Sequence, residues 1–148
     1  MTVTAPAVPG FGTHVVGPTG KALDAVLDRQ LAGTGITVSQ CVALTLAVLG
    51  GPQAVETLVE RVSGALKVDL WTAHGRIGEL AAANLVRTTP DGAVEPTEPG
   101  ETQWHRARAA VDDVTRRLWG DLPEADLAAA ARVLSTVLTR ANAILADA

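Results

Sequence analysis

Tyrosine is absent from this 148-residue chain, and cysteine, phenylalanine and methionine occur once each. A lone cysteine forms no internal disulfide, so stability must come from a buried core, which a chain of this length can supply as one domain. No apolar run reaches 18 residues and no charged-then-apolar leader is present, which predicts a cytoplasmic protein without a membrane partner. Glycine-rich phosphate loops are also missing: Gly-x-Gly occurs only at Gly10-Phe11-Gly12 and Gly33-Thr34-Gly35, too short for a nucleotide fingerprint. With no paired-carboxylate motif and no nucleophile beside an evident base, the chain predicts neither an enzyme nor a cofactor. His14, His74, His105 and Cys41 show no ligand spacing within any helix, so no metal site is expected.

What is abundant is alanine, leucine and valine, which make the core aliphatic and helical by preference. The net charge is −4, an acidic total that does not favour nucleic acid, so the local balance decides more than the sum. Residues 61–87 carry Arg61, Lys67, Arg76 and Arg87 against Asp69 and Glu79, a local +2. Residues 88–101 carry Asp91, Glu95, Glu98 and Glu101 with no base, a local −4.

The stretch Leu66–Arg87 organises the rest. Ala73, Ile77, Leu80 and Leu85 recur at roughly helical spacing, so one stripe faces a core while Trp71, Gly75, Gly78 and Ala82 point away. Asp69 stands at the N-cap position, and Asn84 is a natural left-handed stop. Ahead of it, a first helix is expected over His14–Leu31, with Gly17-Pro18 marking its first turn or a kink. The second opens with Thr37 and Gln40 at capping-box spacing and runs to Leu49. Thr57 and Glu60 repeat that spacing, which predicts a strand over 53–56 and a helix over 58–66. After Leu85-Val86-Arg87, Asp91-Gly92 signals a hairpin. Thr97 then caps a long helix to Trp119 with a line Trp104, Ala107, Val111, Val114 and Leu118, and a final helix from Pro123 to Leu145 repeats the stepping.

Helix, asparagine, short strand and hairpin in this order resemble the second half of a winged helix-turn-helix, specifically that of the MarR family of bacterial transcription regulators. Ile36–Leu44 (ITVSQCVAL), Pro96–Glu101 (PTEPGE) and Asp121–Leu134 (DLPEADLAAAARVL) are similar to the family's second-helix opening, fifth-helix entry and last helix. The resemblance implies a mainly α fold with a small β-hairpin wing. Residues 1–13 are expected to form a flexible N-terminal arm, 14–35 a dimerisation helix, 36–96 the winged helix-turn-helix DNA-binding region, and 97–148 the C-terminal dimerisation helices. The terminal helices carry more apolar seam than one small winged domain needs, so burial against a second copy predicts a homodimer.

Two recognition helices related by a two-fold axis reach successive major grooves, which makes a palindromic operator on double-stranded DNA the geometric expectation. Trp71, Thr72, His74, Gly75 and Arg76 are the candidate contacts, with Lys67 and Arg87 available for phosphates. The bland reading of Arg76 is a solvated helix flank. Two features depart from the family pattern. The hairpin Pro90–Pro96 lacks the wing arginine, so that contact does not carry over, and Gly75 and Gly78 each cost the helix about 1 kcal/mol relative to alanine. Leu70, Trp71 and the acidic hairpin therefore also fit a different protein, a winged-helix dimer that works through protein contact without ordinary operator reading. The resemblance further implies a small organic ligand between the dimerisation helices and the winged domain, where His14, Trp104, His105 and Arg108 offer an aromatic wall and cationic groups. Against it, Trp104 reads as seam packing and His105 and Arg108 as a solvated flank. Cys41, among apolar neighbours on the second helix, reads as structural rather than redox-sensing. The family's members are more often repressors than activators.

Overall fold

The computed structural model describes residues 10–147, so most of the predicted arm lies outside the described residues. Six helices and three short strands follow in the order α1 (Thr13–Leu31), α2 (Val38–Gly50), β1 (Gln53–Ala54), α3 (Val55–Leu66), α4 (Leu70–Ala82), β2 (Val86–Thr88), β3 (Ala93–Pro96), α5 (Glu98–Trp119) and α6 (Glu124–Ala146), with a 3₁₀ turn at Ala32–Thr34. They fall into two compact units, one ending at Asp112 and one beginning at Asp113. Among the described residues no single helix is long and apolar enough to cross a membrane.

Local chemistry sets most of the boundaries. Pro18 is accommodated inside α1. The predicted capping box opens α2: the Gln40 amide hydrogen is accepted by Thr37 Oγ1 at 3.2 Å, and Gln40 Oε1 accepts from the Thr37 N–H at 3.0 Å. Asp69 caps α4, its carboxylate taking the Thr72 N–H at 2.6 Å. Asn84 closes the same helix at φ 61°, and Gly92 turns the hairpin at φ 86°, a left-handed position that a side chain would strain.

The start of α3 differs from expectation. The strand is only two residues long and the helix begins at Val55, with Thr57 and Glu60 already inside it and no side-chain cap at Ala54. Ala54 is still extended at ψ 144°, and Glu56 in the first turn compensates the exposed helix N-terminus through the helix dipole. The Thr57–Glu60 spacing is thus a coincidence of helix-interior residues.

The strands form one antiparallel sheet in the order β1-β3-β2, with Arg87 opposite Glu95 and Gln53 opposite Val94. The core of the first unit gathers Leu44 and Ala47 from α2, Leu58 and Val62 from α3, and Ala73, Ile77 and Leu80 from α4. Val86 and Val94 from the hairpin, Leu31 from α1 and Ala107 from α5 close it. Full burial of Leu80 on α4 fixes which face of that helix stays outside.

Thr97 caps α5 as expected, with the Gly100 N–H donating to Thr97 Oγ1 at 3.0 Å. Gly100 is buried against the end of α4: a β-carbon there would overlap the carbonyl of Leu85, which itself accepts from the Thr97 N–H at 3.0 Å. In the second unit, α6 keeps Leu127 and Ala129 half-buried and leaves Leu134, Val137, Leu138 and Ile144 exposed.

Candidate nucleic-acid interface and ligand pocket

Because Ala73, Ile77 and Leu80 hold α4 to the core, the opposite meridian carries Trp71, Gly75, Gly78 and Ala82, all exposed. Trp71 is 86% exposed at the first turn of the helix, with Leu70 beside it at 56%. Thr72 is half-buried, held at the turn where its N–H meets Asp69. That hydrogen bond, with a second from the Thr72 hydroxyl, holds the Asp69 carboxyl below its ordinary pKa. His74 is exposed one turn on. Nothing stands within 4 Å of where a β-carbon would be at Gly75 or Gly78, so the bare backbone of α4 is open to close approach.

The cations are arranged differently from what composition suggests. Arg76 donates to Glu79 at 2.8 Å, and the other oxygen of Glu79 accepts from Gln40 on α2 at 3.2 Å. Arg87 is paired across the hairpin with Glu95 at 2.6 Å. Lys67 is exposed in the α3–α4 turn, in left-handed conformation at φ 57°. At the wing tip the Thr89 hydroxyl donates to Asp91 and lowers that carboxyl's pKa. Sequence spacing carried signals for both ion pairs that composition alone does not use: Arg76 and Glu79 are three apart on a helix, and Arg87 faces Glu95 once the Asp91-Gly92 turn sets the register.

The ligand candidates separate. Trp104, His105 and Arg108 come together on α5, the indole and imidazole centroids 5.0 Å apart and the guanidinium carbon 5.9 Å from the indole centroid. Trp104 Nε1 donates to Thr45 at 3.1 Å, and Thr45 donates to the Cys41 carbonyl at 2.7 Å. Thr45 and Cys41 belong to the wall of an apolar cavity of about 210 Å³ between α1, α2 and α5, lined also by Leu27, Leu31, Val42 and Val111; Trp104, His105 and Arg108 do not line it, and Trp104 reaches it only through Thr45. Burial pushes the Cys41 thiol pKa up, while Thr45 and the charge of Arg108 oppose that shift. His14 is not brought to this group: it is exposed in the first turn of α1, its imidazole beside Gly12, about 25 Å of helix axis from Leu31.

Two helices in a tight turn, the second anchored on one face and bare on the other, followed by a hairpin pinned to a short strand, define a winged helix-turn-helix. No protein-family model matches the chain, and no curated protein matches it. Among solved structures its fold is that of MarR family regulators. CouR from Rhodococcus jostii RHA1, solved with p-coumaroyl-CoA, is 21% identical with a TM-score of 0.73 over 84% of this chain and 89% of its own. The reduced form of MarR from E. coli is 19% identical with a TM-score of 0.69 over 90% and 96%. Rv2887, a MarR family protein of Mycobacterium tuberculosis solved in complex with DNA, is 17% identical with a TM-score of 0.69 over 87% and 98%.

Proposed function

We propose that this chain is a ligand-responsive, DNA-binding transcription regulator of the MarR family, acting in the cytoplasm as a homodimeric repressor on a palindromic operator. The observation that carries the reading is the placement of α4: its core face is fully committed, and Trp71, Thr72, His74, Gly75 and Arg76 occupy the half of the helix that enters a major groove in helix-turn-helix proteins. A relative of the same fold has been solved with DNA and another with an acyl-CoA, which supports both a nucleic-acid and a small-ligand partner. The exposed apolar line of α6 supports the dimer. On this reading Lys67 and Arg87 serve the phosphates, and Trp104, with His105 and Arg108 beside it on α5, reaches the apolar cavity through its hydrogen bond to Thr45.

The test is selection of genomic fragments by the purified protein, followed by titration of the recovered DNA at two salt concentrations. A palindromic motif bound with a steep salt dependence is the expected result. Recovery of no motif, with weak binding only at low salt, overturns the reading. Sedimentation of the same preparation is expected to give twice the monomer mass.

A further inference from the structure

At the N-terminal end of the proposed reading face, with which it shares Trp71 and His74, α3 and the start of α4 enclose a groove of about 430 Å³ that no described residue fills. Its apolar lining comes from Val55, Val59, Leu70 and Trp71, and His74 on α4 also lines it. Along one wall stand Glu56 and Glu60, one helical turn apart, both exposed and neither in an ion pair among the described residues. The adjacent cation, Arg61, is turned away to Gln53, to which it donates at 2.9 Å.

This combination selects its occupant. Two carboxylates bordering the groove repel phosphate and attract cations, so a basic segment is favoured on this side of Trp71, and its binding would compete with DNA for Trp71 and His74. An exposed indole beside a leucine favours an apolar side chain, and a tryptophan flanked by acidic groups is also a platform for a guanidinium or ammonium. We infer that the groove between α3 and α4 is a docking site for a basic, apolar peptide segment of a partner protein. Such a segment places one large aliphatic or aromatic side chain on Leu70 and Trp71 and an arginine or lysine against Glu56 and Glu60. The docking surface is therefore narrower than the Leu70, Trp71 and hairpin surface legible in the sequence: the carboxylates that complete it come from α3, not from the wing.

The experiment is selection of a displayed random twelve-residue peptide library on the full chain, then titration of the synthetic consensus peptide against wild type, Trp71→Ala and the double variant Glu56→Gln/Glu60→Gln. All three positions are exposed or line an open groove, and matching thermal melts check that folding is unchanged. A consensus pairing arginine or lysine with a large apolar residue is expected. Trp71→Ala is expected to weaken its binding about 30-fold or more, as for buried aromatic anchors. The double variant is expected to weaken it roughly tenfold and to flatten its salt dependence. No consensus, an acidic or purely apolar consensus, or binding unchanged in either variant overturns the proposal. So does a library without consensus combined with a Trp71→Ala variant that loses only DNA affinity, which would make the groove the edge of the nucleic-acid interface.

Discussion

Gln40 donates from its side-chain nitrogen to one oxygen of Glu79 at 3.2 Å, while the other oxygen of Glu79 holds Arg76 at 2.8 Å. Gln40 lies on the first turn of α2, and the same turn supplies Cys41 and Val42 to the cavity beneath α5. One helix thus touches the proposed ligand cavity with one face and, through a single carboxylate, the proposed reading arginine with another. A shift of α2 on filling the cavity would carry Gln40 with it and alter its hold on Glu79 and hence the freedom of Arg76, a physical route for the proposed ligand response.

Arg76 and Glu79 are both more than a third exposed on their side chains, and such a pair contributes at most about 1 kcal/mol. A bidentate contact to guanine discriminates by about 1–3 kcal/mol, so on the proposed interface the guanidinium would exchange the glutamate for a base without net loss. Arg76→Ala is expected to weaken operator binding by about 1–3 kcal/mol and to relax specificity at one position of each half-site. Glu79→Gln is expected to strengthen binding. Anisotropy titrations of both variants on one duplex decide it, and an unchanged Arg76→Ala affinity removes that residue from the interface.

Asp69 has a carboxyl pKa held down by the Thr72 N–H and hydroxyl it accepts in the folded chain. A folded pKa below the unfolded one contributes stability above the ordinary carboxylate pKa, and that contribution disappears as pH falls through the folded value. Asp69→Asn retains an N-capping side chain and loses this titration. Melting curves at neutral pH are expected to be close for the two proteins, with the difference between them changing only below about pH 4. Divergence near neutrality would place the pH sensitivity elsewhere.

Cys41 is expected to be a slow thiol. Burial raises its pKa, so the thiolate is scarce at neutral pH and alkylation lags behind that of an unhindered cysteine. Because the positive charge of Arg108 opposes that shift, Arg108→Ala is expected to raise the thiol pKa further and slow the reaction again. Rates of iodoacetamide labelling across pH measure both effects; faster labelling in the variant would mean that Arg108 acts by shielding the thiol rather than by its charge.

Gly100 is the glycine of the Pro-Thr-Glu-Pro-Gly-Glu motif, and its place explains the motif. A β-carbon at 100 would overlap the carbonyl of Leu85, the group that receives the Thr97 N–H and ties α5 to the end of α4. Gly100→Ala is expected to destabilise the fold by about 1–3 kcal/mol despite the better helix propensity of alanine. Urea unfolding of the variant tests this, and a gain in stability would show that the contact relaxes freely.

Local signals were the legible ones. Thr37 and Gln40, Asp69, Asn84 and Asp91-Gly92 each act on backbone within a few residues, and each ends or turns the chain where the sequence places it. The apolar stripe of α4 was readable for the same reason, since Ala73, Ile77 and Leu80 share one face by helical period alone. Where long-range partners decide, sequence falls short. Thr57 and Glu60 look like a cap but lie inside α3, because where β1 pairs with β3 fixes the end of the strand. The Trp104–Thr45 hydrogen bond joins residues 59 apart, and Glu56 and Glu60 gain their meaning only when α4 brings Trp71 beside them.

Trp71 has one more consequence. With its indole 86% in solvent at the head of α4, it emits as a water-exposed fluorophore, whereas the Trp104 indole is half-buried with its N–H bonded to Thr45. Two of the three tryptophans therefore emit at different wavelengths, one on the proposed docking surface and one hydrogen-bonded to Thr45 of the cavity wall. A blue shift or quench of the long-wavelength component reports occupancy of the former, and a change in the short-wavelength component reports the latter. Trp119, 41% exposed near the end of α5, adds a third contribution that Trp119→Phe removes. The two proposed binding events could then be followed separately in unlabelled protein, in one cuvette and on one time axis.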